Sequence, residues 1–148
     1  MTPDPARVAA LGDELVRIHD ALRDDLRRLR TGGTLPGRSP AAHCLTFCAA
    51  LTRHHTGEEG GAFPALAARF PDLRPLLEKM AEDHVLVAGI TARVEAIAQE
   101  MTDARSPALL AELDGLAAIL DSHFAFEERR IRGALDELGG SATELLGG

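Results

Sequence analysis

Twice in this chain a glutamate follows a histidine by four residues, at His54-His55-Thr56-Gly57-Glu58 and at His123-Phe124-Ala125-Phe126-Glu127. Both pairs lie in stretches of helical periodicity, and residues i and i+4 of a helix are neighbours on one face. Each pair therefore aims an imidazole and a carboxylate at a common point. Two further helical stretches each carry one histidine, His19 and His84, in the middle of an apolar stripe. Four helices that turn nitrogen and oxygen donors into one core describe a metal site, and this donor set suits a pair of irons.

Composition agrees with a helical fold. The 148 residues are 45% hydrophobic, enough for one domain spanning 1–148 with a core of its own. Leu and Ala, both good helix formers, dominate the apolar set, while Tyr and Trp are absent. An all-α bundle is expected. A formal charge of −7 argues against nucleic acid as a partner. No segment reads as a signal peptide or membrane span, so the expected setting is cytoplasmic, with no membrane partner. Cys44 and Cys48, one helical turn apart, are expected as reduced thiols.

Glycine and proline mark the boundaries. Pro3 and Pro5 precede a first helix over about 5–30, which Gly32-Gly33 ends. Pro40 suits the first turn of a second helix, which runs through His54 and Glu58 to Gly60-Gly61, with a short helical piece after it. A third begins near Asp72 and reaches about Met101. Ser106-Pro107 opens the fourth, which Gly139-Gly140 stops after Leu138. The tail beyond has no assigned element.

Counting about 100° per residue gives the buried faces. Val8, Leu15, His19, Leu22 and Leu26 share one side of the first helix. Leu73, Leu77, Met80, His84, Val87 and Ala88 share one side of the third, and Leu116, Ile119, Leu120, His123, Glu127 and Ala134 one side of the fourth. A single histidine in a stripe is ordinarily a satisfied core residue. Four of them, with two carboxylates, would cost several kcal/mol each if buried uncompensated, and a bound cation removes that cost.

On the second helix Glu58 lies within roughly 20° of Phe47 and Leu51, with His54 about 40° to one side and His55 about 60° to the other. Glu58 is placed to bridge two metals, with His54 on one and His55 on the other. Glu59, about 100° off, is expected at the edge. Glu128 is expected to be exposed, and Arg130 to pair with a carboxylate. His84 precedes Met101 by as many residues as His123 follows Ser106, which puts both imidazoles at one level, about 25 Å from the turn. His43 lies about 16 Å from His54 along the helix and cannot share its centre. With Cys44 and Cys48 it is expected to serve packing.

These residues resemble the hemerythrin-like proteins, specifically their HHE cation-binding group. The resemblance covers nearly the whole chain. It rests on His19, on His54-His55-Thr56-Gly57-Glu58-Glu59 with Phe63-Pro64 downstream, on His84, and on His123-Phe124-Ala125-Phe126-Glu127-Glu128. It implies an up-down-up-down four-helix bundle around two non-haem irons, a di-iron centre of the kind that carries an oxo or hydroxo bridge. By analogy Glu58 and Glu127 bridge the ions, His19 and His54 hold one, and His84 and His123 the other.

Two departures separate this chain from the oxygen carriers of that group. Their third helix has two histidines a turn apart, whereas the positions beside His84 here are Met80 and Ala88; His55 is the candidate replacement. The fourth-helix bridge is a glutamate at i+4, not an aspartate at i+5. Reversible oxygen carriage does not follow. The expected function is binding of O2 or a related small oxidant, for sensing, scavenging or detoxification. The alternatives are a non-catalytic metal-binding or iron-storage bundle and a di-iron peroxidase- or catalase-like enzyme acting on peroxide or NO. The Glu-x-x-His pairs of ferritin-like enzymes and the His-Glu-x-x-His of zinc proteases are both absent.

Overall fold

Every element of the computed structural model, which describes residues 10–31, 40–100 and 106–147, is helical, and no strand occurs among the described residues. Four long segments carry the fold: α1 (Leu11–Thr31), α2 (Pro40–Gly57), α4 (Arg74–Glu100) and α5 (Pro107–Leu138). A single wide π turn (Glu58–Ala62) joins α2 to α3 (Phe63–Arg69), a 3-10 turn (Pro71–Leu73) leads into α4, and a short α6 (Ala142–Leu146) follows α5. Pro3, Pro5, Val8, Gly32-Gly33 and Met101 lie outside the described residues.

The boundary signals act mostly as their chemistry dictates. Ser106 caps α5, its side chain accepting a hydrogen bond from the Leu109 N–H, with Pro107 in the first turn. Gly139, at φ 66°, ends that helix in a backbone region that favours glycine. The second helix departs from expectation, because Gly60-Gly61 does not stop it. The backbone widens at Glu58, whose carbonyl accepts from the Phe63 N–H, and continues helically into α3. A widened turn leaves room for the ring of Pro64, which lacks an N–H to donate.

Neighbouring helices meet in opposite sense. On α1 and α5, Gly12 N–H reaches the Asp136 carboxylate at 2.8 Å, Arg23 meets Asp121 at 2.6 Å, and Arg30 meets Asp114 at 2.7 Å. On α1 and α2, His43 donates to the Asp25 carbonyl at 2.8 Å while His19 lies against His54. On α4 and α5, Arg93 pairs with Glu112 and His84 with His123. Exposed ion pairs of this kind contribute little each, so register comes from packing.

That packing falls into two apolar clusters. One gathers Leu22, Leu26, Leu29, Phe47, Leu51, Val94, Ile97, Leu113, Leu120 and Phe124. The other gathers Leu11, Leu15, Phe63, Leu66, Met80, Ile131, Leu135 and Leu146. The histidines and glutamates singled out by the sequence lie where the two clusters adjoin: His19 on α1, His54 and His55 on α2, Glu58 in the π turn, His84 on α4, and Glu127 with the neighbouring His123 on α5. A fully buried Leu or Phe contributes about 1.5–3 kcal/mol, so apolar packing on both sides can hold a costly polar layer in place.

Among the described residues the stripes hold on α1 and α2, hold on α4 except at Ala88, and are rotated on α5. Ala88 and Ile119 are exposed, the latter by 52%. The buried face of α5 is Leu113, Ala117, Leu120, Phe124, Glu127, Ile131 and Leu135, with His123 at its margin. Cys44 and Cys48 are buried free thiols with sulfurs 3.3 Å apart. No helix among the described residues is long and apolar enough to cross a membrane.

Candidate metal centre

α1 contributes His19, α2 contributes His54 and His55, the π turn contributes Glu58, α4 contributes His84, and α5 contributes His123 and Glu127. All seven are buried, and the structure brings all seven together. Their ligand atoms form three overlapping groups, each within 4.8 Å: His19, His54 and Glu127; His55, His84 and His123; and Glu58, His84 and Glu127.

The carboxylates occupy the middle. Glu127 lies 3.4 Å from the Nε2 of His19, 3.8 Å from that of His54, 3.7 Å from that of His84 and 3.6 Å from that of His123. Glu58 lies 3.3 Å from His54 and 3.6 Å from His84. These separations exceed good hydrogen bonds. Both oxygens of Glu58 and of Glu127, with the Nε2 atoms of His55, His84 and His123, have no hydrogen-bond partner. Orphaned donors and acceptors at such density are rare in protein cores and call for a common partner. A divalent cation is one that every atom of this set can bind.

The far sides of three rings are tied down. His19 Nδ1 donates to Glu128 Oε2 at 2.8 Å, His84 Nδ1 to Glu59 Oε1 at 3.1 Å, and His54 Nδ1 to the Leu146 carbonyl at 2.6 Å. A carbonyl only accepts, so Nδ1 of His54 carries a proton, and Nε2 is the ring nitrogen turned toward the carboxylates. Such outer partners set the tautomer of metal-binding histidines. The Nε2 atoms of His19 and His54 approach to 3.1 Å. Two lone pairs at that distance repel unless a proton or a cation lies beside both.

Charge is distributed unequally. Burial, reinforced by Glu127, pushes the Glu58 carboxyl well above its usual range. Burial also acts against ionisation of Glu127, but the facing Glu58, His19, His54 and His84 outweigh it and hold Glu127 low. Burial would lower His19, yet Glu127 and Glu128 raise it. His55 drops to about 2, through burial and then the neighbouring His84 and His54. His123 drops to about 4, chiefly through burial. Without a cation, burial thus favours the neutral forms of Glu58, His55 and His123.

Glu128 corrects the sequence reading: only 18% of its side chain is exposed, and it holds both His19 and Arg23. Glu59 lies at the edge as expected and holds His84. Arg130 is exposed, and its described contact is the Phe126 ring rather than a carboxylate. The Leu146 carbonyl had no counterpart in the sequence reading. Its signal was present in Ser141-Ala142-Thr143-Glu144, a capping-box pattern just before Leu145-Leu146.

A helical bundle with a buried, carboxylate-centred histidine layer is the architecture of a cation-binding protein. The Hemerythrin HHE cation binding domain matches residues 10–135, and the chain belongs to that family. Comparison with curated proteins and with solved structures gives no match.

Proposed function

We propose that this chain is a single-domain, up-down-up-down four-helix bundle that holds two iron ions and presents them to O2 or a related small oxidant. The observation that carries this reading is the pairing of two histidine groups, His19 with His54 and His55 with His84 and His123, around the shared Glu58 and Glu127. Seven candidate donors exceed what one iron takes, and Glu58 and Glu127, which lie between the two histidine groups, would be the carboxylates shared by two ions. His55 joins His84 and His123 and so stands in for the second histidine that α4 lacks. Ferrous iron, when bound, supplies one electron per ion, hence a two-electron reduction of a small oxidant.

The residues around the groups differ in access. His19 and His54 are 0% and 1% exposed, whereas His55, His84 and His123 are 8%, 5% and 9% exposed. His123 lines a cleft of about 310 Å³ with Leu86, Ile119 and Phe126. His55 and His84 line another of about 300 Å³ between α2 and α4. Small oxidants therefore reach the His55–His84–His123 side, while Phe124, stacked on His19 at 4.6 Å, seals the other.

Metal analysis of protein prepared without air, followed by optical spectra on exposure to O2 and to peroxide, tests the reading. About two irons per chain and a reversible new band support O2 binding. Peroxide turnover redirects the reading to a detoxifying enzyme, and iron retained without optical response redirects it to storage. One metal per chain, or zinc alone from iron-replete cells, overturns the di-iron centre.

A further inference from the structure

The family match ends at residue 135, yet a ligand-bearing helix is held by residues beyond it. After Gly139 the chain turns, Ser141 caps α6 by accepting from the Glu144 N–H, and α6 returns across the α2–π junction. Leu146 is fully buried in the apolar cluster that includes Leu11, Phe63 and Leu66. Its carbonyl receives the His54 Nδ1 proton at 2.6 Å, and the Gly147 carbonyl receives Arg53 Nε at 3.2 Å.

Glycines make this approach possible. A Cβ at Gly57 would strike the backbone of Gly147, and one at Gly61 would come within 2.5 Å of the Glu144 carbonyl. Gly147 itself has φ +69°, and a Cβ there would strike the Arg53 carbonyl. Gly60, between the other two, meets nothing within 4 Å. Gly57 and Gly61 thus lie on the face that α6 covers.

We propose that residues 141–147 are a strap belonging to the metal centre, whose Leu146 carbonyl positions His54 by holding its proton on Nδ1 and its Nε2 toward Glu58 and Glu127. The inference rests on His54 being a ligand, as proposed above, but the hydrogen bond belongs to the metal-free chain too. Without the strap the ring is free to flip or change tautomer, and the ligand atom is lost from the site for part of the time. Outer partners of this kind typically change metal affinity about 10–100-fold.

Gly57→Ala tests this, because it lifts Gly147 and Leu146 from α2 without removing any apolar side chain. Gly60→Ala is the matched control. Imidazole nitrogen NMR of the metal-free proteins reads the His54 tautomer, and anaerobic ferrous titration reads affinity. The expected result is a single Nδ1–H tautomer in wild type and Gly60→Ala. In Gly57→Ala the expectation is a mixed or inverted tautomer and ferrous binding weaker by about 10-fold or more. Should Gly57→Ala fail to fold, Gly61→Ala carries the same measurements. An unchanged tautomer in the lifted variant overturns the strap's role, as does a changed tautomer with unchanged ferrous affinity. A wild-type chain that binds no iron overturns the di-iron reading instead, and the tautomer comparison still decides whether Leu146 holds His54.

Discussion

The rings of His55 and His84 stack face to face, 7° from parallel, with centroids 3.7 Å apart. Neither Nε2 has a hydrogen-bond partner, and His123 stands edge-on to both rings at just over 5 Å. Two stacked imidazolium cations would repel across that gap with little water to screen them. A single cation held by the facing Nε2 atoms would supply positive charge to this side of the site without that repulsion.

Acid destabilisation of the metal-free protein follows. His55 and His123 have folded pKa values near 2 and 4, below the unfolded value of about 6.5. Their contribution is present above pH 6.5 and is lost as pH falls through that value, by on the order of 1 kcal/mol per pH unit for each. Glu58, raised in the folded state, acts oppositely above its unfolded pKa of about 4.5. His19, also raised, contributes fully below pH 6.5 and adds no slope there. Two histidines outweigh one carboxyl, so stability falls between pH 6.5 and 5. Chemical denaturation of metal-free protein at both pH values checks this, and His55→Phe should flatten the slope. A midpoint that stays constant or rises on acidification contradicts the charge assignment.

Glu58 sets stability against function. Its carboxyl is fully buried beside His54 and His84 with both oxygens unpartnered, so Glu58→Leu exchanges an unsatisfied polar group for an apolar side chain. Metal-free protein should gain about 1–2 kcal/mol, since such replacements are often stabilising. The same change removes a bridging carboxylate, so iron should be lost and with it the stabilisation that binding lends the folded state. Thermal melts with and without ferrous iron read both signs. A variant that is less stable without metal, or that retains iron, shows Glu58 to be structural.

How these residues converge was legible where helical geometry alone decides. The angular count placed Glu58 at the centre of the Phe47–Leu51 face, and the equal spacing of His84 and His123 from their loop ends placed the two rings at one level. On α5 the stripe that joins Leu116, Ile119 and His123 is not the buried face. His123 sits at the margin of the face, so the assumed stripe is rotated toward Ile119 and away from Phe124 and Ile131. Gly60-Gly61 read as a helix stop because local propensity has no term for α6, whose backbone comes down on Gly61 from the far end of the chain. The exposure of Glu128 was misjudged for a similar reason. Its partners, His19 and Arg23, are on α1, more than a hundred residues earlier.

Glu128 offers a graded test of outer-sphere control. Its carboxylate is held low against burial by His19 and Arg23, and it fixes the His19 proton on Nδ1. Glu128→Gln keeps an acceptor and should weaken ferrous binding modestly. Glu128→Leu removes it and should weaken binding by about 10-fold or more. Anaerobic titrations of both variants give the comparison, and equal affinities would separate His19 orientation from Glu128.

Ligand substitutions should resolve the two ions. His19 and His54 share a group with Glu127 but not with His55 or His123, so His19→Ala should empty one position and leave the other occupied. His123→Ala should do the reverse, because His55, His84 and His123 form a group that excludes His19 and His54. Each variant is expected to retain about one iron, with the remaining ion more accessible to small oxidants in His19→Ala than in His123→Ala. Glu127 belongs to two of the three groups and faces four imidazoles, so Glu127→Ala should abolish binding of both. Metal-to-protein ratios after anaerobic loading and desalting decide between these outcomes. If His19→Ala and His123→Ala each lose all iron, the positions fill as one cooperative unit. If Glu127→Ala keeps two ions, the carboxylate is not a bridge.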